Sequence, residues 1–319
     1  MFSRAAITLS MAFALSNVGC IKSMLVNGQI SSTRNAAGVL DTIGDLDLVE
    51  SAARAGLVQF EGMHSLAPDN TDALFLLTKG WTSYGYGFCE DHMEEAHDNG
   101  EADLEAHYKH TANLAYERAI GYGLELIGKR ADGFDTAKKG EATLRPWLKE
   151  NFTSAEKDAP NLFWLGYAWL ARTSLNKDQP AIVADLWVGV ALLEHAVELD
   201  RGYNGFSGLT ALAAYHARSA GAEVAQAKKL FEEALQATGK KSLTVHMAYA
   251  TRYACAKQDA ALYEQTLAHV IAAPDEKPEL RLLNAVARKR AKRWLTEKRM
   301  FEFCSMDPTP KGPISAKKK

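Results

Sequence analysis

The chain reads as an all-α, tetratricopeptide-like α-solenoid of stacked helical hairpins, and three observations carry that reading. Apolar residues recur at helical spacing through nearly all of the 319 residues, with Pro, Asn and Gly at the breaks. Similar phrases recur at offsets of 38 and 32 residues: Ala191–Asp200, Lys229–Leu235 and Leu262–Leu267. Such periods are those of stacked helix pairs, loosened by insertions. No alternating β pattern competes with them, and the competing architecture is an irregular helical bundle.

The first helix follows from Leu48, Val49, Ala52, Ala53, Leu57 and Phe60, and Pro68–Asn70 closes it. Thr71 to Glu90 is the second helix of that hairpin. A third runs from Glu101 to Ile127. Periodicity then weakens from Lys129 to Asn161 around Gly133 and Gly140, with a short helix near Leu144 to Phe152. Pro160 opens the segment 162–174, and Pro180 begins the next at its first turn. The last helix carries an apolar stripe, Leu283, Ala287, Ala291, Trp294 and Leu295, flanked by Arg288, Lys289, Arg290, Lys292 and Arg293. Arg290 and Arg293 are three apart, which lets their stems pack while their heads reach acids on the preceding repeat. A capping helix with salt bridges and a docking surface for a partner or an anionic head group are the two readings of this phrase.

The ends set an address. Arg4, the apolar stretch Ala5–Leu15 and Gly19 before Cys20 fit a secretory signal over 1–20, too short to span a bilayer. Gly19–Cys20 resembles the end of a bacterial lipobox, with Asn17 where Leu is usual; Cys20 is the expected lipidation site, and plain cleavage is the alternative. Residues 21–45, with Gly28, Gly38 and Gly44, read as a tether with at most a short helical turn; 46–303 as the repeat domain; and 304–319 as a flexible basic tail. Beyond Cys20, the odd set Cys89, Cys255 and Cys304 is widely spaced and cannot all pair, so buried free thiols are expected.

A net charge of −2 argues against a nucleic-acid surface. No Gly-x-Ser-x-Gly elbow or phosphate-binding Gly-rich loop occurs, so no enzyme and no cofactor are expected. His107 and His110 are three apart without a further ligand, and the acidic run Glu94, Glu95, Asp98, Glu101 and Asp103 reads as a solvated loop. The informative side chains are aromatic. Trp81, Tyr84, Tyr86 and Phe88 crowd a stretch with Gly80, Gly85 and Gly87; Phe163, Trp164, Tyr167 and Trp169 flank Gly166. Each glycine in a helix costs about 1 kcal/mol relative to alanine, which close packing or close ligand approach would offset. Core residues and the lining of an apolar pocket are both open for these rings.

Taken in order, several phrases resemble the tetratricopeptide-type TatT component of TRAP transporters: Tyr84–Phe88, Tyr116–Ala119 with Tyr122 and Leu126, Ala159–Trp164 with Ala168 and Trp169, Leu199–Tyr203, and Leu282–Asn284 through Arg290–Leu295. The resemblance covers Asp47 to about Phe303. It implies a periplasmic lipoprotein, anchored to the outer membrane through Cys20, that works with a DctP-type solute-binding protein. It further implies a homo-oligomer, a trimer, with a pore or groove in each subunit for a small apolar or amphipathic ligand. On this basis Tyr84, Phe88, Trp164 and Trp169 are the expected ligand-lining residues, and Asn284, Arg290 and Arg293 the expected interface or head-group contacts. The segment Phe206–Leu209 with Ala213 and Ala214 departs from the usual family phrase. A general tetratricopeptide scaffold for envelope assembly is the functional alternative.

Overall fold

In the computed structural model, which describes residues 24–218 and 221–309, every regular element is helical. Helix α1 spans 24–36 and runs into a 3-10 turn, Ala37–Thr42. The Asp45 carboxylate accepts from the Leu48 amide and starts α2 (Leu46–Leu66), and Asn70 caps α3 (Thr71–Tyr84) in the same way. Each cap satisfies an amide that the helix itself leaves unpaired. The chain then continues without a break through a π turn, Gly85–Cys89, into α4 (Glu90–Asn99), which ends at left-handed Gly100. After α5 (Ala102–Gly128) come the short α6 (Phe134–Ala137) and α7 (Glu141–Asn151).

Three hairpins follow. Helix α8 (Ala159–Leu175) packs on α10 (Leu186–Leu199) after the single turn α9 (Pro180–Val183). Helix α11 (Tyr203–His216) packs on α12 (Val224–Ala237). Helix α13 (Leu243–Ala248), a second π turn (Tyr249–Ala254) and α14 (Cys255–Lys257) pack on α15 (Ala260–Ala272). The recurring phrases 191–200, 229–235 and 262–267 therefore fall on the second helices of successive pairs. The molecule is an all-α stack of tetratricopeptide-like hairpins, closed by α16 (Arg281–Trp294) and α17 (Glu297–Cys304).

Packing explains the small residues between α8 and α10. A Cβ on Gly166 would lie 2.9 Å from the Leu193 amide nitrogen and 3.0 Å from the Gly189 carbonyl, and one on Gly189 would meet the Trp169 Cβ at 2.8 Å. The two backbones touch because neither glycine has a side chain. The main core extends from α3 through α12, and a separate one, with Leu243, Tyr263, Leu267, Ala291 and Met300, lies under α13 to α17.

Helix α16 does more than cap the last hairpin. It lies against α2 and, through its basic face, against α4 at the other end of the chain. The stack is closed on itself.

Several expectations are revised. The 21–45 tether is helical over 24–36, because Ile30 is buried with Met63, Ala73 and Leu76 while Arg34 pairs with Asp72 at 2.5 Å and lies over the Phe75 ring. The expected acidic loop is helix α4, carried past Glu90 by the π turn. The partners of Arg290 and Arg293 stand on α4 and not on the preceding repeat. Cys255 and Cys304 form a disulfide that ties α14 to α17, and Cys89 alone remains a buried free thiol among the described cysteines. Residues 304–309 are held rather than free: Met306 is buried and the Thr309 amide donates to Glu264 at 3.0 Å. Cys20 and residues 310–319 lie outside the described residues. No helix among the described residues is long and apolar enough to cross a membrane.

Candidate functional site

The expected site residues fall into separate places. Tyr84 lies between Trp81, which it meets edge-on, and Phe88, with ring centroids 6.3 Å from each; Phe88 is buried and Tyr84 half-buried. Trp164, only 7% exposed, stands edge-on to Phe163 at 4.9 Å and donates its indole N–H to the Tyr203 hydroxyl at 3.0 Å. Trp169 lies over Gly189 of α10, half-buried, apart from both groups. The two aromatic groups are joined by residues outside the expected set: Tyr86 in the π turn meets Tyr167 of α8 edge-on at 5.8 Å.

The π turn is what aims Tyr86. Inserting one residue into the α-helical repeat shifts the side chains after it round the axis, so Tyr86 points toward α8 while Glu90 and Glu94, four apart, face α16. Gly85 is required there, since a Cβ would lie 2.9 Å from the Tyr116 ring. Tyr116 of α5 donates its hydroxyl to Glu90, and the Arg290 guanidinium lies 4.9 Å above the Tyr86 ring. Tyr86, Glu90, Tyr116, Tyr167 and Arg290 thus bring four elements, α4 with its π turn, α5, α8 and α16, to one inner face.

Beside it lies the seam between α4 and α16. Glu94 is 8% exposed and is bonded by Arg290 through two nitrogens, by the Arg293 Nε at 3.3 Å and by the Trp294 indole N–H at 3.1 Å. Arg299 of α17, 1% exposed, reaches Asp98 at 2.8 Å and the Glu94 carbonyl at 2.8 Å. Arg293 and Lys289 share Asp91, the latter at 2.6 Å. Burial alone would raise the Glu94 pKa, but Arg290, Arg293 and Arg299 hold it down to about 2. Glu90 goes the other way: its burial outweighs Arg290, and its pKa is raised. Burial also pushes the Tyr116 and Tyr167 phenols well above their ordinary range, so both remain neutral hydroxyls.

Asn284, 1% exposed, has a local task. Its side-chain oxygen accepts from the Leu243 amide at 2.9 Å and its amide donates to the Lys241 carbonyl at 3.3 Å, fixing the start of α13 against α16. His107 and His110 are exposed on α5. Asp91, His92 and Glu95 lie within metal-ligand reach of one another, but Asp91 is already neutralised by Lys289 and Arg293, and the His92 Nε2 lies 3.0 Å from Glu50.

The residues that sequence reasoning missed, Glu90, Glu94 and Asp98, had a visible signal. Acids at intervals of four on one helix face match basic residues at 290, 293 and 299, though nothing in a single sequence joins segments 200 residues apart.

An uncharacterized protein of Treponema pallidum (strain Nichols) is 24% identical to this chain over 258 residues, which cover 79% of this chain and 78% of the relative. The family model of the TRAP transporter T-component, TAtT, matches residues 43–301, from just before α2 into α17, and the chain belongs to that family.

Proposed function

We propose that this non-enzymatic accessory component of a TRAP-type uptake system docks a DctP-type periplasmic solute-binding protein and relays a small apolar or amphipathic solute along its inner face. The observation that carries the reading is the closure of the stack by α16 on α4, which brings the half-buried Tyr86 and Tyr167, edge-on at 5.8 Å, to one face beside Arg290. Rings with neutral hydroxyls suit an apolar solute, offering contact area at small entropic cost. Tyr84 and Trp169, the more accessible of the four expected lining residues, are placed in this reading along the route, and Phe88 and Trp164 behind it. Arg290, Arg293 and Asn284 hold the seam and the α13 end that shape the surface.

In the same proposal the protein works in the periplasm, anchored to the outer membrane by lipid on Cys20, and assembles as a homo-oligomer, a trimer. Co-purification with the solute-binding protein followed by native mass spectrometry tests it. A stable complex of the two, with the T-component present in multiple copies, is expected. Recovery of envelope-assembly proteins alone, with no solute-binding protein, would favour a general scaffold.

A further inference from the structure

The end of the molecule from which the chain runs back toward Cys20 carries exposed apolar side chains. Met24 and Leu25, in the first turn of α1, are 75% and 69% exposed, and Leu66, the last residue of α2, is 63% exposed. The three share one tip. The Asn70 side-chain amide donates to the Asn27 side-chain oxygen at 2.7 Å, and Val26 and Ala67 pack on the same small core with Ile30 and Met63. The start of α1 therefore lies against the turn between α2 and α3, and the residues flanking these contacts leave large apolar side chains uncovered.

Charge at this tip is compensated. Asp69 and Glu125 lie 2.6 and 4.0 Å from the Lys129 ammonium, and Asp72 is paired with Arg34. Lys129 and its neighbour Arg130 are exposed, and Lys22 stands two positions before Met24 in the sequence. Apolar side chains rimmed by basic ones fit a bilayer interface, where the first enter the acyl boundary and the second meet anionic head groups. The opposite end is remote: residues 71–99 form one run of helix, about 40 Å long at roughly 1.5 Å per residue. Helix α17 lies against the last turn of that run, where Arg299 reaches Asp98.

We infer that Met24, Leu25 and Leu66 rest on a phospholipid surface beside the lipid on Cys20, so that α17 stands at the far end, away from the membrane. Met24 is four positions after Cys20, a stretch that even fully extended chain spans in about 14 Å. Lipid on Cys20 therefore holds the tip at the bilayer. Apolar contact there becomes an intramolecular step, favoured even where the same contact made from solution is weak. The inference rests on the lipid-anchor reading above and assigns the surface that faces the membrane.

The test places a thiol-reactive, environment-sensitive fluorophore on Leu25→Cys, on Leu66→Cys and, at the far end, on Phe301→Cys, in the full mature protein. Labelling is selective, because Cys89 is buried with its thiol pushed up to about 12 and Cys255 is bonded to Cys304. Each variant is bound to vesicles of phosphatidylethanolamine and phosphatidylglycerol that contain a spin-labelled phospholipid, and acylation of Cys20 is read by mass spectrometry. Probes at 25 and 66 are expected to shift to shorter wavelength and to be quenched about twofold or more, with the probe at 301 unchanged. Vesicle-bound, acylated protein without quenching at 25 and 66 overturns the inference and leaves the lipid anchor standing. Equal quenching at 301 overturns it as well. A shift at 25 and 66 that grows with protein concentration in the absence of vesicles assigns the tip to a second copy of the chain and overturns it. Protein that carries no acyl group on Cys20 and stays in solution overturns the anchor and the inference together.

Discussion

Arg290 donates from two guanidinium nitrogens to the carboxylate of Glu94, a residue 196 positions earlier in the chain, and both side chains are buried. This pair joins the last long helix to the first hairpin and converts an open stack into a closed one. Arg293, Arg299 and Trp294 converge on the same glutamate, so one carboxylate compensates several desolvated donors. Such an arrangement fixes geometry more than it adds net stability, because desolvation offsets most of the attraction.

Removing the hub is therefore expected to be costly. Glu94→Gln leaves Arg290 and Arg293 without their shared counter-charge in a buried site, a change worth about 3–5 kcal/mol. Chemical denaturation of Glu94→Gln and Arg290→Met, alone and combined, checks it. The double variant is expected to lose less than the sum of the singles, because the pair is coupled. Additive losses would show that the two side chains act independently.

The same carboxylate gives the fold an acid limit. Its folded pKa, about 2, lies below its ordinary 4.5, so the folded state binds fewer protons there than the unfolded chain does. The stability from Glu94 is complete above about pH 4.5 and is lost as pH falls toward 2. Glu90, with a raised pKa, acts in the opposite sense: its contribution is full below its unfolded value and is lost as pH rises through its folded one. Denaturation midpoints measured from pH 5 to pH 2 are expected to fall steeply in the wild type. In Glu94→Gln the slope over that window is expected to be shallower.

What the sequence made legible follows from what a local pattern encodes. Hairpins from α8 to α15 were readable because their apolar stripes and breaks are local. Helix α1 was hidden by Gly28 and Gly38, whose α-carbons have open space around them and which sit in the helix and its 3-10 extension without being needed there. The second helix was legible through Gly85 and Gly87 as far as Glu90, but its continuation as α4 was hidden, since the acidic run from Glu94 to Asp103 looks like a solvated loop. The α4 to α16 seam and the Cys255 to Cys304 bond join segments that only the folded chain brings together, so Glu94 read as solvated and the cysteines as separate.

The disulfide is expected to hold α17, and with it Arg299, in place. It closes a loop across 49 positions, and a cross-link of that span stabilises by about 2–5 kcal/mol. Cys255→Ser/Cys304→Ser is expected to lower the thermal midpoint and to raise hydrogen exchange in α17 and the facing turns of α4. Cys89 gives an internal control: burial pushes its thiol up to about 12, so it is expected to resist alkylation in both proteins until they unfold. Unchanged exchange at α4 in the double serine variant would show that the salt bridges hold the seam without the covalent tie.

Two glycines separate close packing from mere conformational tolerance. At Gly166 an added Cβ would meet backbone atoms of α10, the Leu193 nitrogen at 2.9 Å and the Gly189 oxygen at 3.0 Å, and backbone cannot move aside as a flexible side chain can. Gly166→Ala is expected to push α8 from α10 and to destabilise by about 1–3 kcal/mol. Gly87 sits in the π turn with a negative φ and no atom within 4 Å of an added Cβ, so alanine there removes unfolded-state freedom without a clash. Gly87→Ala is expected to stabilise by about 0.5–1 kcal/mol. Urea denaturation of both variants beside the wild type reads the contrast. If Gly87→Ala destabilises as much as Gly166→Ala, the π turn itself depends on that glycine, and the aim of Tyr86 and Glu90 depends on it as well.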